Sequence, residues 1–167
     1  MPLLMLKDLP PYESVLEAAK HYPTLDPSAN EAFLNLLRTA DMMTLGSRGF
    51  LSRHQISHGR FTVMMLLHRP WVKSHTPASL ADKAGVTRAT MTGLIDTLER
   101  DGLVSRSPEP QDRRITHIEL TDKGRERLKT MIPECFSMMA GAMAPLNERE
   151  RKELVRLLQK IQGHAEE

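Results

Sequence analysis

The chain has 167 residues and a formal net charge of +2 at pH 7, a length that points to one domain with room for a core that needs no disulfide. Charged residues make up 26% and hydrophobic residues 40%, which excludes wholesale disorder. Aromatics are only 4%, so the core must rest on aliphatic side chains and methionine, which favours helices over a β-sandwich, and the one cysteine, Cys135, excludes a cysteine-cluster zinc site.

Residues 1–26 carry four prolines, and Lys7 and Lys20 face Asp8, Glu13, Glu17 and Asp26. They read as an acidic N-terminal arm with a short helix over 13–22. Residues 1–6 are apolar but stop at Lys7, without the basic and apolar regions of a signal peptide, and residues 138–146 are too short to span a bilayer. The expected location is the cytoplasm. Residues 28–75 are basic, with Arg38, Arg48, Arg53, Arg60, Arg69 and Lys73 against Glu31 and Asp41. That balance permits a polyanionic partner without requiring one.

Asp26 and Pro27 form a helix start, with Asp as N-cap and Pro at the first helical position. Phe33, Leu36, Leu37, Ala40 and Met43 follow at helical spacing, which predicts a helix ending about residues 46–49. Ser57 caps a second helix bearing Phe61, Met64, Met65 and His68, and Pro70 ends it. Thr76-Pro77 opens a short third helix closed by Gly85. Thr87 opens a fourth, whose Met91, Leu94, Ile95 and Leu98 make an apolar stripe, and Gly102 stops it.

The period then changes. Residues 103–107 and 115–120 read as strands of a hairpin around the turn-rich 108–112. Thr121 caps a fifth helix with Leu128, Ile132, Cys135, Met139 and Ala142 at 3–4 spacing, and Pro133 is expected to kink it. Asn147 and Glu150 form a capping-box pattern for a last helix, whose Leu154, Leu157, Leu158 and Ile161 are expected to be buried.

Ala81, Gly85 and Met91 carry the functional argument. A small residue lets two helices cross closely, glycine permits a left-handed turn, and an apolar residue anchors the second helix. This is a helix-turn-helix pattern, whose second helix enters the DNA major groove N-terminus first. The start of that helix, with Thr87, Arg88, Ala89, Thr90, Thr92 and Gly93, is small, hydroxylated or basic and holds no acid. Arg88 is the candidate guanine reader, and the threonines suit phosphates or thymine methyls. The acids Asp96 and Glu99 come later, where the helix is expected to have left the groove. The hairpin with its basic tip, Arg113-Arg114, completes a winged helix able to reach the minor groove.

The run from Thr76 to Val104, the wing Asp112-Arg113-Arg114, the closing Leu120-Thr-Asp-Lys-Gly124 and the segment Gly59-Arg-Phe-Thr-Val63 resemble the MarR family of bacterial transcriptional regulators, over about residues 30–162. The resemblance implies a mainly α (α+β) winged helix-turn-helix with a two-stranded wing. It implies one domain over 27–167, with dimerisation helices over 27–56 and 122–167 and a DNA-binding lobe over 57–121. It further implies a homodimer gripping a pseudo-palindromic operator, most often as a repressor, with Arg114 as the minor-groove arginine and Asp112 as its internal partner.

Dimerisation also follows from apolar stripes at both chain ends that lack a covering layer, with Phe33, Leu37, Met139, Leu154, Leu158 and Ile161 as candidate interface residues. Family members often sense small aromatic acids, oxidants or metals. A methionine-lined effector pocket is a candidate among the helices, with Arg38, Met42, His58, Arg60, Phe61 and Met65 as lining residues and the cations as holders of a carboxylate. Methionine as plain core filler is the simpler reading. Cys135 lies on an apolar stripe with no cation one turn away, so a buried, inert thiol is expected rather than a redox switch. His54 and His58 stand at i, i+4, but nothing converges on them, and no metal or other cofactor is expected. No phosphate loop, dinucleotide fingerprint or nucleophile elbow appears, so no catalytic residue is assigned and an enzyme is not expected. The alternative function is a winged-helix protein-interaction module that binds no specific DNA.

Overall fold

The computed structural model describes residue 6 and residues 8–69, 75–109, 112 and 115–165. Among them are seven helices and two strands: α1 (Tyr12–Ala19), α2 (Pro27–Arg53), α3 (His58–His68), α4 (Pro77–Ala84), α5 (Arg88–Arg100), β1 (Val104–Pro108), β2 (Thr116–Leu120), α6 (Asp122–Ala142) and α7 (Glu148–Ala165). The chain divides into two compact units, Met1–Gly49 and Phe50–Glu167, and the division falls inside α2.

In the first unit, Asp26 caps α2 through its Oδ1, which accepts from the backbone N–H groups of Ser28 at 2.9 Å and Ala29 at 3.0 Å. Those donors, Ala29 foremost, hold the Asp26 carboxyl below its ordinary pKa. The arm helix α1 is shorter than expected and begins directly after Pro11, whose φ suits a helix entry. Val15 is its one buried residue, and Leu9, Tyr12 and Val15 share a cavity of about 280 Å³ with Asn30, Leu34 and Asn35 of α2. Arg38 donates from Nη2 to the Leu6 carbonyl at 2.6 Å, so it holds the arm.

α2 continues past the expected stop. Glycines at 46 and 49 weaken a helix by about 1 kcal/mol each, but Phe50 and Leu51, one turn beyond, are buried in the core of the second unit, and packing overrides propensity. Gln55, at φ 48°, then turns the chain out of the helical region.

The second unit holds one core, built from Phe50, Leu51, Ile56, Val63, Met64, Leu80, Met91, Ile95, Leu98, Leu103, Ile118, Leu128 and Met131 with their neighbours. Met64, Met91 and Met131 are completely buried while Met42, Met43 and Met139 are exposed, so the buried methionines of this unit act as filler. Phe61 packs edge-on against Phe50 at 5.5 Å. Side-chain caps start four of its helices: Ser57 accepts from Arg60, Thr76 from Ser79, Thr87 from Thr90 and Thr121 from Gly124. β1 and β2 pair antiparallel from Val104↔Leu120 to Pro108↔Thr116, within a residue of the expected hairpin. The His75 carbonyl adds one bond to the outer edge of β2 by accepting from the Ile118 N–H at 3.0 Å.

α6 is one continuous helix that contains Pro133. Asn147 Oδ1 accepts from the Glu150 N–H at 3.0 Å and Glu150 Oε2 from the Asn147 N–H at 2.8 Å, which is the expected capping box. One expectation fails: among the residues of α7 whose burial is described, none is buried within the chain. Leu154 and Leu158 are half-buried, and Val155, Leu157 and Ile161 are exposed. Periodicity defines an apolar face, but whether the same chain covers it is a matter of topology.

Candidate nucleic-acid interface

The helix-turn-helix is α4, a three-residue turn and α5. Ala81 of α4 is buried, 1% exposed, as a small residue between closely packed helices is. Gly85 is left-handed at φ 63°, and open space surrounds it, so backbone conformation and not crowding selects glycine. Gly59 of α3 gives a second close approach, because a Cβ there stands 3.1 Å from Leu94 of α5.

α5 divides cleanly into two faces. Met91, Ile95 and Leu98 are buried, while Thr87, Arg88, Ala89, Thr90, Thr92 and Gly93 are all exposed. The six residues expected to read DNA therefore share the solvent side of one helix start. The Thr87 hydroxyl is occupied by the cap: it accepts from the Thr90 N–H at 3.1 Å and lies 2.9 Å from the Thr90 hydroxyl. Thr92 Oγ1 donates to the Arg88 carbonyl, which leaves its lone pairs outward.

Of the wing residues, Asp112 is exposed and its carbonyl accepts from the Ile115 N–H at 2.9 Å, closing the turn into β2. Arg113 and Arg114 lie outside the described residues. The tip end of the strand pair is tied by His117 of β2, whose Nε2 lies 2.7 Å from Glu109 Oε2. The recognition helix and wing are also joined by an interaction that sequence reading missed. Arg106 of β1 donates to Asp96 at 2.5 Å and to Glu99 at 2.6 Å. Asp96 and Glu99 do not simply trail out of the way. Their spacing at i, i+3 was legible, but the cation seven to ten residues downstream becomes their neighbour only after the hairpin forms.

The start of α6 locks onto the α5–β1 turn. Thr121 Oγ1 donates to the Gly102 carbonyl at 2.7 Å, the Thr121 N–H donates to the Leu103 carbonyl at 3.1 Å, and Lys123 Nζ donates to the Asp101 carbonyl at 2.8 Å. A Cβ on Gly124 falls 2.1 Å from the Leu103 carbonyl oxygen, so only glycine fits that contact.

The expected effector pocket fares differently residue by residue. Arg60 is ion-paired to Asp101 and its side chain is only 15% exposed, so it braces α3 against the end of α5. Phe61 belongs to the core, and Arg38 holds the arm. All three have partners distant in sequence, which composition alone does not reveal. His58 and Met42 are exposed, and Met65 is half-buried against the core. His54, the other half of the i, i+4 pair, lies 2.6 Å from Glu134 Oε2. Arg53 binds the same carboxylate, and its hydrogen bond is the chief cause of the lowered Glu134 pKa. Among the described residues no cluster of three metal-ligating side chains forms, and no helix is long and apolar enough to cross a membrane. Cys135 is 3% exposed, and burial pushes its thiol pKa up, the opposite of what a reactive thiolate needs.

Comparison with known proteins agrees with this geometry. A model of the MarR family matches residues 56–116, the segment that contains the helix-turn-helix and most of the wing. The HTH-type transcriptional repressor YetL of Bacillus subtilis is 35% identical over 153 residues, covering 92% of each chain. The solved structure of the transcriptional regulator PA4135 superposes with a TM-score of 0.66 at 26% identity, covering 78% of this chain and 95% of that one. The fold is also that of BpsR of Bordetella bronchiseptica, whose DNA binding is regulated by 6-hydroxynicotinic acid (TM-score 0.66, 24% identity, 76% and 89% covered). With a repressor 35% identical along nearly its whole length and a family model over its helix-turn-helix, the chain belongs to the MarR family of non-enzymatic, DNA-binding transcriptional regulators.

Proposed function

We propose that the protein is a homodimeric repressor that occupies a pseudo-palindromic operator. The carrying observation is the exposed start of α5, where Thr87, Arg88, Ala89, Thr90, Thr92 and Gly93 present hydroxyls and a guanidinium without an acid. That surface fits the major groove, with Arg88 placed to read a guanine and the helix N-terminus favouring phosphate. Asp112, Arg113 and Arg114 carry the wing to the adjacent minor groove. Two such lobes related by a two-fold axis match half-sites about 34–36 Å apart. The repressor assignment is supported by the name and 35% identity of YetL.

A small aromatic or anionic effector releases the operator in this reading. Because Arg38 and Arg60 have internal partners, His58 is the remaining candidate cation, with Met42 and Met65 as apolar lining.

The test is selection of duplexes from random DNA by the purified protein, followed by affinity across salt and against scrambled DNA. The expected result is a two-fold-symmetric winner with a steep salt slope. Arg88→Ala should cost roughly 1–3 kcal/mol at one base position per half-site and little on scrambled DNA. Equal loss on every sequence would remove Arg88 as a base reader. Failure to enrich any duplex would favour the protein-interaction alternative.

A further inference from the structure

The stripe that reads DNA on α5 turns acidic along its length. Arg88, Thr92 and Asp96 follow at i, i+4, i+8, and Glu99 stands near them one turn on. Phosphates lining a groove repel carboxylates placed there. One wing guanidinium holds both of them. Arg106 Nη2 donates to Asp96 Oδ1 at 2.5 Å, and Nη1 donates to Glu99 Oε2 at 2.6 Å. The hydrogen bond to Asp96 is the leading reason that the Arg106 pKa lies above its ordinary value. A planar fork that engages two separate carboxylates fixes direction as well as distance, which a lysine ammonium does not. Arg106 lies on β1, which Arg106↔Ile118 and Ser107↔His117 join to β2, so the tie reaches the hairpin that bears the wing tip. Ion pairs this exposed contribute little to global folding stability, so their consequence lies in local opening of the wing and in binding.

We propose that Arg106 is a positioning residue for DNA recognition: it fixes the wing to the recognition helix and masks Asp96 and Glu99 from the phosphates, without itself touching DNA. Major-groove and minor-groove contacts then keep one spacing, and specificity depends on a side chain that reads no base. The proposal rests on the DNA-binding reading of α5.

Two variants test it from opposite sides of the charge balance. Arg106→Gln exposes the acids, and the double variant Asp96→Asn/Glu99→Gln removes them while freeing the arginine. The probes are the duplex enriched from random DNA by the unmodified protein and its scrambled counterpart. Arg106→Gln should weaken binding to scrambled DNA and the double variant should strengthen it. Both should lower the enriched-to-scrambled affinity ratio about tenfold, because both release the wing. A salt slope shallower by about one in Arg106→Gln would make Arg106 a phosphate contact and overturn the proposal. An unchanged ratio in the double variant would overturn it as well. Amide exchange without DNA provides an independent readout: residues 105–107 and 116–118 should exchange at least fivefold faster in both variants, with α3 unchanged. Unaltered exchange there would overturn the tie even if no duplex were enriched, an outcome that would separately sink the DNA-binding reading.

Discussion

Gly124 shows how much one hydrogen atom in place of a methyl can determine. Its Cα faces the Leu103 carbonyl so closely that a Cβ stands 2.1 Å from the oxygen, a backbone atom that cannot swing aside. Alanine there must push α6 off the α5–β1 turn, straining the bonds from Thr121 to the Gly102 and Leu103 carbonyls. Overpacking of this kind costs about 3 kcal/mol, so thermal unfolding of Gly124→Ala should begin well below that of the unmodified protein. A loss under about 0.5 kcal/mol would mean that the contact is looser than described. The motif containing Gly124 was legible in sequence, but its reason was not. A glycine followed by a basic helical residue gives no local sign of which carbonyl approaches it. Arg60 and Asp101, paired across 41 positions, were hidden by the same limit, since a sequence lists charges without saying which ones folding brings together.

At the scale of elements, α5 sets stability against function at a single position. Gly93 lies in the helix interior at φ below zero, and a Cβ there meets nothing within 4 Å. Gly93→Ala should therefore stabilise the fold by about 0.5–1 kcal/mol, through helix propensity and a less free unfolded chain. The same methyl projects from the face proposed to enter the groove, where glycine allows close approach, so operator affinity should fall while the melting temperature rises. Calorimetry and binding on one preparation decide it, and a rise in both would move Gly93 off the interface. Helix starts were the most legible part of this fold because a cap is local chemistry: Asp26, Ser57, Thr76, Thr87, Thr121 and Asn147 are each found accepting the expected backbone N–H. Helix ends were less so. α2 runs through Gly46 to Arg53 because Phe50 and Leu51 are drawn into a core whose other walls lie far along the chain.

For the whole molecule, the question is what covers the apolar surface the chain leaves bare. No described residue of α7 is buried, and Phe136, Met139, Val155, Leu157 and Ile161 are exposed in the same unit, as Phe33 is in the other. An exposed stripe of this kind, on a protein proposed above to occupy two-fold sites, is explained most simply by a second copy of the chain. Ile161, 55% exposed, tests this without disturbing the monomer core. Ile161→Glu should leave the helical signal of the lobe intact but move the sedimenting mass at micromolar concentration from twice 18.9 kDa toward 18.9 kDa. Operator affinity should fall by about 10²–10⁴-fold, since each half-site then binds without the effective concentration supplied by its twin. The melting temperature of the unmodified protein should rise with concentration, as it must when association stabilises the fold. A chain that sediments as a monomer at every concentration, and melts at the same temperature throughout, would show that the bare face serves another partner and that each operator half is read alone.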